Sequence, residues 1–362
     1  MENFDKNMIV ATELGKEDIL FYSVKEAPFK LYGLFDKEPG KRMSRMDIPT
    51  AKKVSDGVAW GAYATAGAKV RFKTDSDYIA VSLKLDGELG DWPQMSGVAA
   101  YGCDLYEICN GEYIFKSSFI PPLHKFGTYE QIIELKNEEK LLREYVINLP
   151  IYGQVDEMYI GINKDALLKE GEDFFNTVPV YFYGSSITQG GCMSRPGMCY
   201  VNILSRKYNM NIHNLGFAGN AKGETEMAKY ISGLKMSMFV YDYDYNSPSP
   251  DHLLKTHRPM FKIIREKNPC LPIIIMSGVS GGDYKERIVR RDIIKKTYDN
   301  AVADGDNNVY FIDGSEIFKK YGFSWNEPTV EGCHPTDLGF ALMAAAVSEV
   351  IDENNLLNQI KG

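Results

Sequence analysis

Two hydrophobic rhythms divide the chain. In the first half, apolar and polar residues alternate singly between turn signals, most plainly from Val58 to Leu85 (…AKVRFKTDSDYIAVSLKL) and again through Gly102–Phe119 and Tyr129–Pro150. Alternation of period two predicts half-buried strands, and closely spaced strands of this kind predict an antiparallel sandwich or jelly roll. Leu149-Pro-Ile-Tyr-Gly153 and Met158–Ile162 read as its last strands. From Val178 the rhythm changes. Short segments at Val178–Tyr183, Ile212–Leu215, Met238–Asp242, Ile273–Ser277 and Val309–Asp313 read as strands. Longer segments at Gly197–Tyr208, Lys222–Leu234, Asp251–Lys267, Tyr284–Ala303 and Asp337–Glu353 predict helices between them. Strictly alternating strands and helices imply a parallel sheet covered on both faces, so the second half reads as α/β. The expected organisation is an all-β unit over residues 1–165, a polar linker over 166–177 and an α/β unit over 178–362.

Composition narrows the function classes. The net charge of −8 argues against a nucleic-acid or anionic-membrane partner. The lysines and arginines of Lys285–Arg291 and Lys295-Lys296 recur at helical spacing and read as a solvated helix face. No apolar run reaches bilayer length, and the start MENFDKNMIVATELGKED has no apolar segment of signal-peptide type, so the expected location is cytoplasmic. None of the six cysteines forms a C-x-x-C pair, and no metal or organic cofactor is expected. Self-association is left open.

Ligands of parallel sheets bind beyond the carboxyl ends of the strands. After the first predicted strand comes Gly184-Ser185-Ser186, after the second Gly216-Phe217-Ala218-Gly219-Asn220, after the third Asn246, and before the last helix Glu331-Gly332-Cys333-His334-Pro335. A hydroxyl, glycine-flanked amides, a carboxamide and an imidazole thus fall on one rim. These groups suit acyl transfer. A serine needs a base to become nucleophilic, histidine is the usual base, and the oxyanion needs preorganised donors. The spacing is not that of the G-x-S-x-G elbow.

In this order, the four blocks resemble those of the SGNH (GDSL-type) hydrolase superfamily. Gly184-Ser185-Ser186-Ile187-Thr188 stands for the GDS-type block, Phe217-Ala218-Gly219-Asn220 for the glycine block, Asp244-Tyr245-Asn246 for the asparagine block and Glu331-Gly332-Cys333-His334 for the D-x-x-H block. Gly102-Cys103-Asp104-Leu105-Tyr106 is similar to the G-x-D-L-Y element of two-domain members, which place a jelly-roll-like domain before a flavodoxin-like three-layer SGNH domain with a five-stranded parallel sheet. The resemblance implies Ser186 as nucleophile, His334 as base and Glu331 as its acid. It also implies an oxyanion hole of the Ser186 and Gly219 amides with Asn246. Several related enzymes are carbohydrate O-acetyl esterases, so the implied substrate is an oligosaccharide or small-molecule ester. Ser185 and Glu331 both replace the family's usual aspartate. The alternatives are an acyltransferase acting on an alcohol, and a carbohydrate-binding protein with an inert second domain.

Several residues have blander readings. Asn246 could cap the helix after Ser247-Pro-Ser-Pro250. Asp242 and Asp244 suggest a metal but have no histidine or cysteine cluster beside them, so hydrogen-bonded carboxylates are expected. His124, His213, His252 and His257 read as structural or surface residues. Among Met193, Met198, Trp60, Trp92 and Trp325, Trp325 lies nearest the histidine block and is the candidate for substrate contact.

Overall fold

The computed structural model describes residues 14–86, 92–122, 127–137 and 139–360, so His124 lies outside the described residues. The first domain contains β1 (Ile19–Ser23), β2 (Lys30–Tyr32), α1 (Ile48–Val54), α2 (Asp56–Ala62), β3 (Lys69–Thr74), β4 (Tyr78–Asp86), α3 (Gly97–Tyr101), β5 (Cys103–Cys109), β6 (Glu112–Phe119), β7 (Thr128–Glu134), β8 (Arg143–Asn148), β9 (Gln154–Asn163) and β10 (Leu168–Glu170). Its strands form two antiparallel sheets, β1-β9-β4-β7 and β10-β3-β8-β5-β6, with β2 also paired to β3. The inward faces of both, including Val70, Phe72, Val81, Leu83, Leu105, Ile147 and Ile160, share one core. This is the jelly-roll-like sandwich expected from the alternation. The β5–β6 hairpin turns on Asn110 (φ 52°) and Gly111 (φ 81°), the positive-φ pair that a two-residue turn requires.

The second domain runs β11 (Val180–Gly184), α4 (Ser186–Gln189), α5 (Tyr200–Lys207), β12 (Ile212–Gly216), α6 (Thr225–Ser232), β13 (Met238–Asp242), α7 (Pro250–Lys267), β14 (Ile273–Met276), α8 (Tyr284–Ala303), β15 (Val309–Ile312), α9 (Gly314–Lys320), α10 (Asp337–Glu353) and α11 (Leu356–Ile360). The sheet is parallel with order β12-β11-β13-β14-β15, the flavodoxin-like arrangement. Successive side chains of β11 face opposite sides. Val180 and Phe182 join a core under α5 and α10, while Tyr181 and Tyr183 join a core under α6 and α7. The topological switch lies at β11, between β12 and β13, which puts the crevice where Ser186 leaves the sheet.

Three expectations need correction. Val58–Ala62 is helical, not strand. Asp47 accepts a hydrogen bond from Thr50 N at 2.9 Å with Pro49 in the first turn, and Ser55 accepts from Val58 N at 3.1 Å. The first cap starts α1, and the Ser55 cap of α2 outweighs a local alternation made mostly of alanine and glycine. Leu149–Gly153 is a loop, because Pro150 has no N–H to give a ladder and the backbone turns to bond Ala68, Ala99 and Ala100 instead. Leu168–Glu170, inside the expected linker, pairs antiparallel with β3.

The halves also interleave. Met46, Ala51, Val58 and Ala62 pack with Leu215, Phe217 and Met227 on one face of the parallel sheet, and Ala99, Ile151 and Tyr152 pack on the other. Between them Arg45, fully buried, donates to the carbonyls of Gly61 (2.7 Å), Ala64 (2.6 Å), Asn214 (2.7 Å) and Gly216 (3.0 Å).

Candidate active site

Ser186 stands at the carboxyl end of β11 because the chain turns there on a residue without a side chain. A Cβ on Gly184 would lie 2.0 Å from Thr188 Oγ1 and 2.4 Å from the Asp242 carbonyl oxygen, which only glycine avoids. Ser185 accepts from Ile187 N at 3.1 Å and caps α4. Ser186 is then the first residue of α4, where backbone N–H groups have no intrahelical acceptor. Gly190 ends the helix at φ 116°, and Gly191 lets the histidine approach, since a Cβ there would sit 3.1 Å from His334 Cδ2.

His334 arrives from the turn spanning 329–335. Val330 N donates to the His334 carbonyl at 2.8 Å, and Gly332, at φ 86°, donates to Thr329 Oγ1 at 2.9 Å. The turn faces Glu331 toward His334, whose Nδ1 is hydrogen-bonded to Glu331 Oε1. On the other side of the ring, Nε2 lies 2.8 Å from Ser186 Oγ. Ser186, His334 and Glu331 are thus brought into one hydrogen-bonded row. A glutamate reaches Nδ1 despite its extra methylene. Asp337, the other nearby carboxylate, instead accepts from Ser194 N at 2.8 Å and from its hydroxyl at 2.5 Å.

The loop after β12 lies alongside. Phe217 N donates to the Gly184 carbonyl at 2.8 Å, tying the ends of the two strands together. Gly219 takes φ 70°, is exposed, and has no atom within 4 Å of its Cβ direction, so open space adjoins it. Asn246 Oδ1 accepts from Ala221 N at 3.2 Å, which holds its carboxamide against this loop. Asn246 does not cap α7: Ser249 does, accepting from His252 N at 3.2 Å.

The first domain reaches the same place through residues that the sequence reading missed. Gln189 donates to the Ile151 carbonyl at 2.8 Å and accepts from Ala218 N at 3.0 Å, so one side chain connects the first domain to the loop carrying Gly219. The Tyr152 hydroxyl stands 3.3 Å from the Gly191 Cβ direction, and its ring lies 5.1 Å from that of Trp92. Asp104 of the G-x-D-L-Y element is fully buried. It accepts from Asn148 Nδ2 and from Gly197 N, each at 2.7 Å, and its Oδ2 lies 3.5 Å from Arg195 Nε. It thereby anchors the 192–198 loop that runs from the serine toward Asp337. Nothing in local sequence pattern flags Gln189 or Tyr152, because both act through contacts with residues far along the chain.

The remaining candidates fall elsewhere. Asp242 accepts from Thr188 Oγ1 (2.7 Å) and Tyr200 OH (3.1 Å), and burial raises its carboxyl to about 7. Asp244 pairs with Arg287 at 2.6 Å. The expected hydrogen-bonded carboxylates are what the structure contains. His213 stacks on Tyr181 and bonds the Arg45 carbonyl, while His257 stacks on Tyr241 and bonds Thr297. His252 bonds the Lys222 carbonyl at 2.9 Å. Trp325 packs edge-on against Tyr284. Trp92, by contrast, packs on Tyr152 beside Gly191. A groove of about 670 Å³, lined by Arg258, Arg265, Asp306 and Asn308, opens at the amino ends of β14 and β15, opposite the serine. Among the described residues no helix is long and apolar enough to cross a membrane.

Comparison with known proteins identifies the family and the fold. Residues 177–352 match the GDSL-like lipase/acylhydrolase family, and residues 19–168 match the GxDLY family, the N-terminus of SGNH-hydrolase-type esterases. No functionally curated protein matches the chain in sequence. Among solved structures, a protein from Bacteroides ovatus described as GDSL-like lipase shares 27% identity with a TM-score of 0.84, over 94% of this chain and 98% of its own. The salicylyl-acyltransferase SsfX3 of a tetracycline biosynthetic pathway shares 16% identity (TM-score 0.73; 94% and 99% covered). An acetyl xylan esterase (Est2A) from the rumen bacterium Butyrivibrio proteoclasticus shares 13% (TM-score 0.57; 94% and 99% covered). The chain belongs to the SGNH (GDSL-type) hydrolase superfamily, as a two-domain member with an N-terminal jelly-roll-like domain.

Proposed function

We propose that this hydrolase is a serine esterase that removes short acyl groups, chiefly acetyl, from carbohydrates. The observation that carries the reading is the 2.8 Å contact between Ser186 Oγ and His334 Nε2, with Glu331 bonded to the opposite ring nitrogen. His334 takes the hydroxyl proton as Ser186 attacks the acyl carbonyl. Glu331 keeps the Nδ1 proton in place and stabilises the imidazolium. The Ser186 and Gly219 amides and Asn246 Nδ2 receive the oxyanion. The protonated histidine then gives its proton to the leaving sugar oxygen, and water, deprotonated by the same ring, releases the acid. None of these steps draws on a cofactor. Support for a sugar substrate comes from the likeness to carbohydrate esterases and from half-buried Trp92, an aromatic side chain of the kind sugars stack on, which packs on buried Tyr152 beside Gly191.

The test compares the wild type with Ser186→Ala on p-nitrophenyl acetate and on acetylated xylo-oligosaccharides. Loss of both activities is expected, and retained hydrolysis would remove Ser186 from the chemistry. The fold shared with SsfX3 favours one second reading, transfer of the acyl group to an alcohol instead of water. Product analysis with an acceptor sugar present separates the two, since both share the acyl-enzyme. An inert second domain would leave a fluorophosphonate probe unreacted.

A further inference from the structure

Cys192 has no part in the hydrolytic scheme, yet it is buried beside it. Its sulfur, a carboxylate oxygen of Glu331 and a ring nitrogen of His334 all lie within 4.8 Å of one another. They come from two segments fixed by separate contacts. Cys192 follows the Gly190-Gly191 turn and is itself held at φ 74°, a conformation that side-chain-bearing residues rarely adopt. Glu331 and His334 share the 329–335 turn, which is pinned from outside by Ser280 Oγ on the Cys333 carbonyl at 2.5 Å.

One sulfur, one nitrogen and one oxygen make a borderline-soft donor set. Magnesium and calcium take oxygen ligands, whereas zinc accepts this mixture, commonly with three protein ligands and one open position. Zinc bonds of about 2.0–2.3 Å in a tetrahedron require donors about 3.3–3.6 Å apart. Glu331 and His334 are already in contact. The thiol therefore has at most about 1.5 Å to close, within the reach of a side-chain rotation.

We propose that Cys192, Glu331 and His334 form a site for a zinc-class divalent cation that switches this enzyme off. The site is independent of the reaction, while the switching rests on the esterase reading. A neutral imidazole has one proton and one lone pair. A cation on Nδ1 sends the ring proton to Nε2, and a cation on Nε2 occupies the lone pair there. Either way His334 can no longer accept the Ser186 proton. The thiol proton passes to solvent and no other atom is transferred.

The experiment uses the full chain after chelator treatment, with Co²⁺ and Zn²⁺ chlorides as probes. Expected are one Co²⁺ per chain with a sulfur-to-cobalt charge-transfer band in the near ultraviolet, loss of that band on adding Zn²⁺, and loss of ester hydrolysis over the same Zn²⁺ range. Cys192→Ala and Cys192→Ser should hydrolyse ester, lack the band, and need at least tenfold more Zn²⁺ for half-inhibition. Cys333→Ala should keep both band and sensitivity. A wild type without the band, a Cys192 variant inhibited like the wild type, or a rate that rises with Zn²⁺ would overturn the proposal. The band should persist in Ser186→Ala. A wild type that shows the band but cleaves no ester would refute the esterase reading and leave the metal site standing.

Discussion

Asn246 offers a sharp separation of two roles that one side chain combines. Its Oδ1 accepts from Ala221 N, and its Nδ2 is the proposed donor to the oxyanion. Removing one oxyanion donor raises the barrier by about 3–4 kcal/mol, or roughly 10²–10³ in kcat. Losing the acceptor costs stability of about 1–3 kcal/mol, because the amide of buried Ala221 is left without it. Asn246→Ala loses both. Asn246→Asp keeps the acceptor and its shape and loses the donor. Both variants should therefore show kcat lowered about 10²–10³-fold with KM within about twofold, since the donor acts on charge that appears only in the transition state. Only the alanine variant should also melt earlier. The assay is steady-state hydrolysis of p-nitrophenyl acetate, paired with thermal unfolding. If Asn246→Asp retains more than a third of wild-type kcat, Asn246 is a loop brace and the oxyanion assignment fails.

The other predictions concern contacts between domains and the acid limb. Gln189→Ala removes the bonds to Ile151 and Ala218, each worth about 1 kcal/mol, so stability should fall by about 2 kcal/mol and kcat should fall with KM little changed as the loop carrying Gly219 loosens; an unchanged kcat would deny the bridge a role in catalysis. Asp104→Ala leaves the Gly197 amide, Asn148 and Arg195 without their buried acceptor and should cost about 3 kcal/mol or more in chemical denaturation, whereas a loss under 1 kcal/mol would mean the 192–198 loop is held by something else. Burial lowers His257 to about 3 and His213 to about 4 from 6.5, so the unfolded chain takes up their protons first, and the stability they confer is full above pH 6.5 and lost as pH falls below it. Asp242, raised by burial to about 7 from 3.8, has the opposite sign and costs stability as pH rises from about 4 through 7. Between pH 4 and 6, His257→Asn should thus flatten the pH dependence of unfolding by one proton, about 1.4 kcal/mol per pH unit, and an unaltered slope would contradict the burial argument.

Much of this molecule was legible before any coordinates. The five strands of the parallel sheet differ from the expected ones by a few terminal residues, because each is short and stops at glycine, aspartate or serine. Ser186, Asn246 and His334 stand out because they lie just after a strand or just before a helix, where function collects in such sheets, whereas Glu331 and Gly219 take their roles only from the resemblance. What stayed hidden has a common cause. Val58–Ala62 alternates like a strand, and only the cap at Ser55 gives its helix away. The loop at Leu149–Gly153 looks like the end of a strand, yet its carbonyl and its tyrosine serve the other domain. Gln189 and Tyr152 act across separations of tens of residues, and no local pattern encodes a partner that distant.

Arg45 carries a lasting consequence. Its guanidinium, sealed from water, reaches out of one half of the polypeptide to clasp the terminal carbonyls of β12 in the other. A gene that joined residues 178–362 to some foreign sugar-binding module would leave those oxygens bare and strip α1 and α2 from the sheet they cover. Such a chimera works only if the stretch from Met43 to Ala66 travels along. Inheritance must therefore treat the two halves as one indivisible unit, however modular their outlines look.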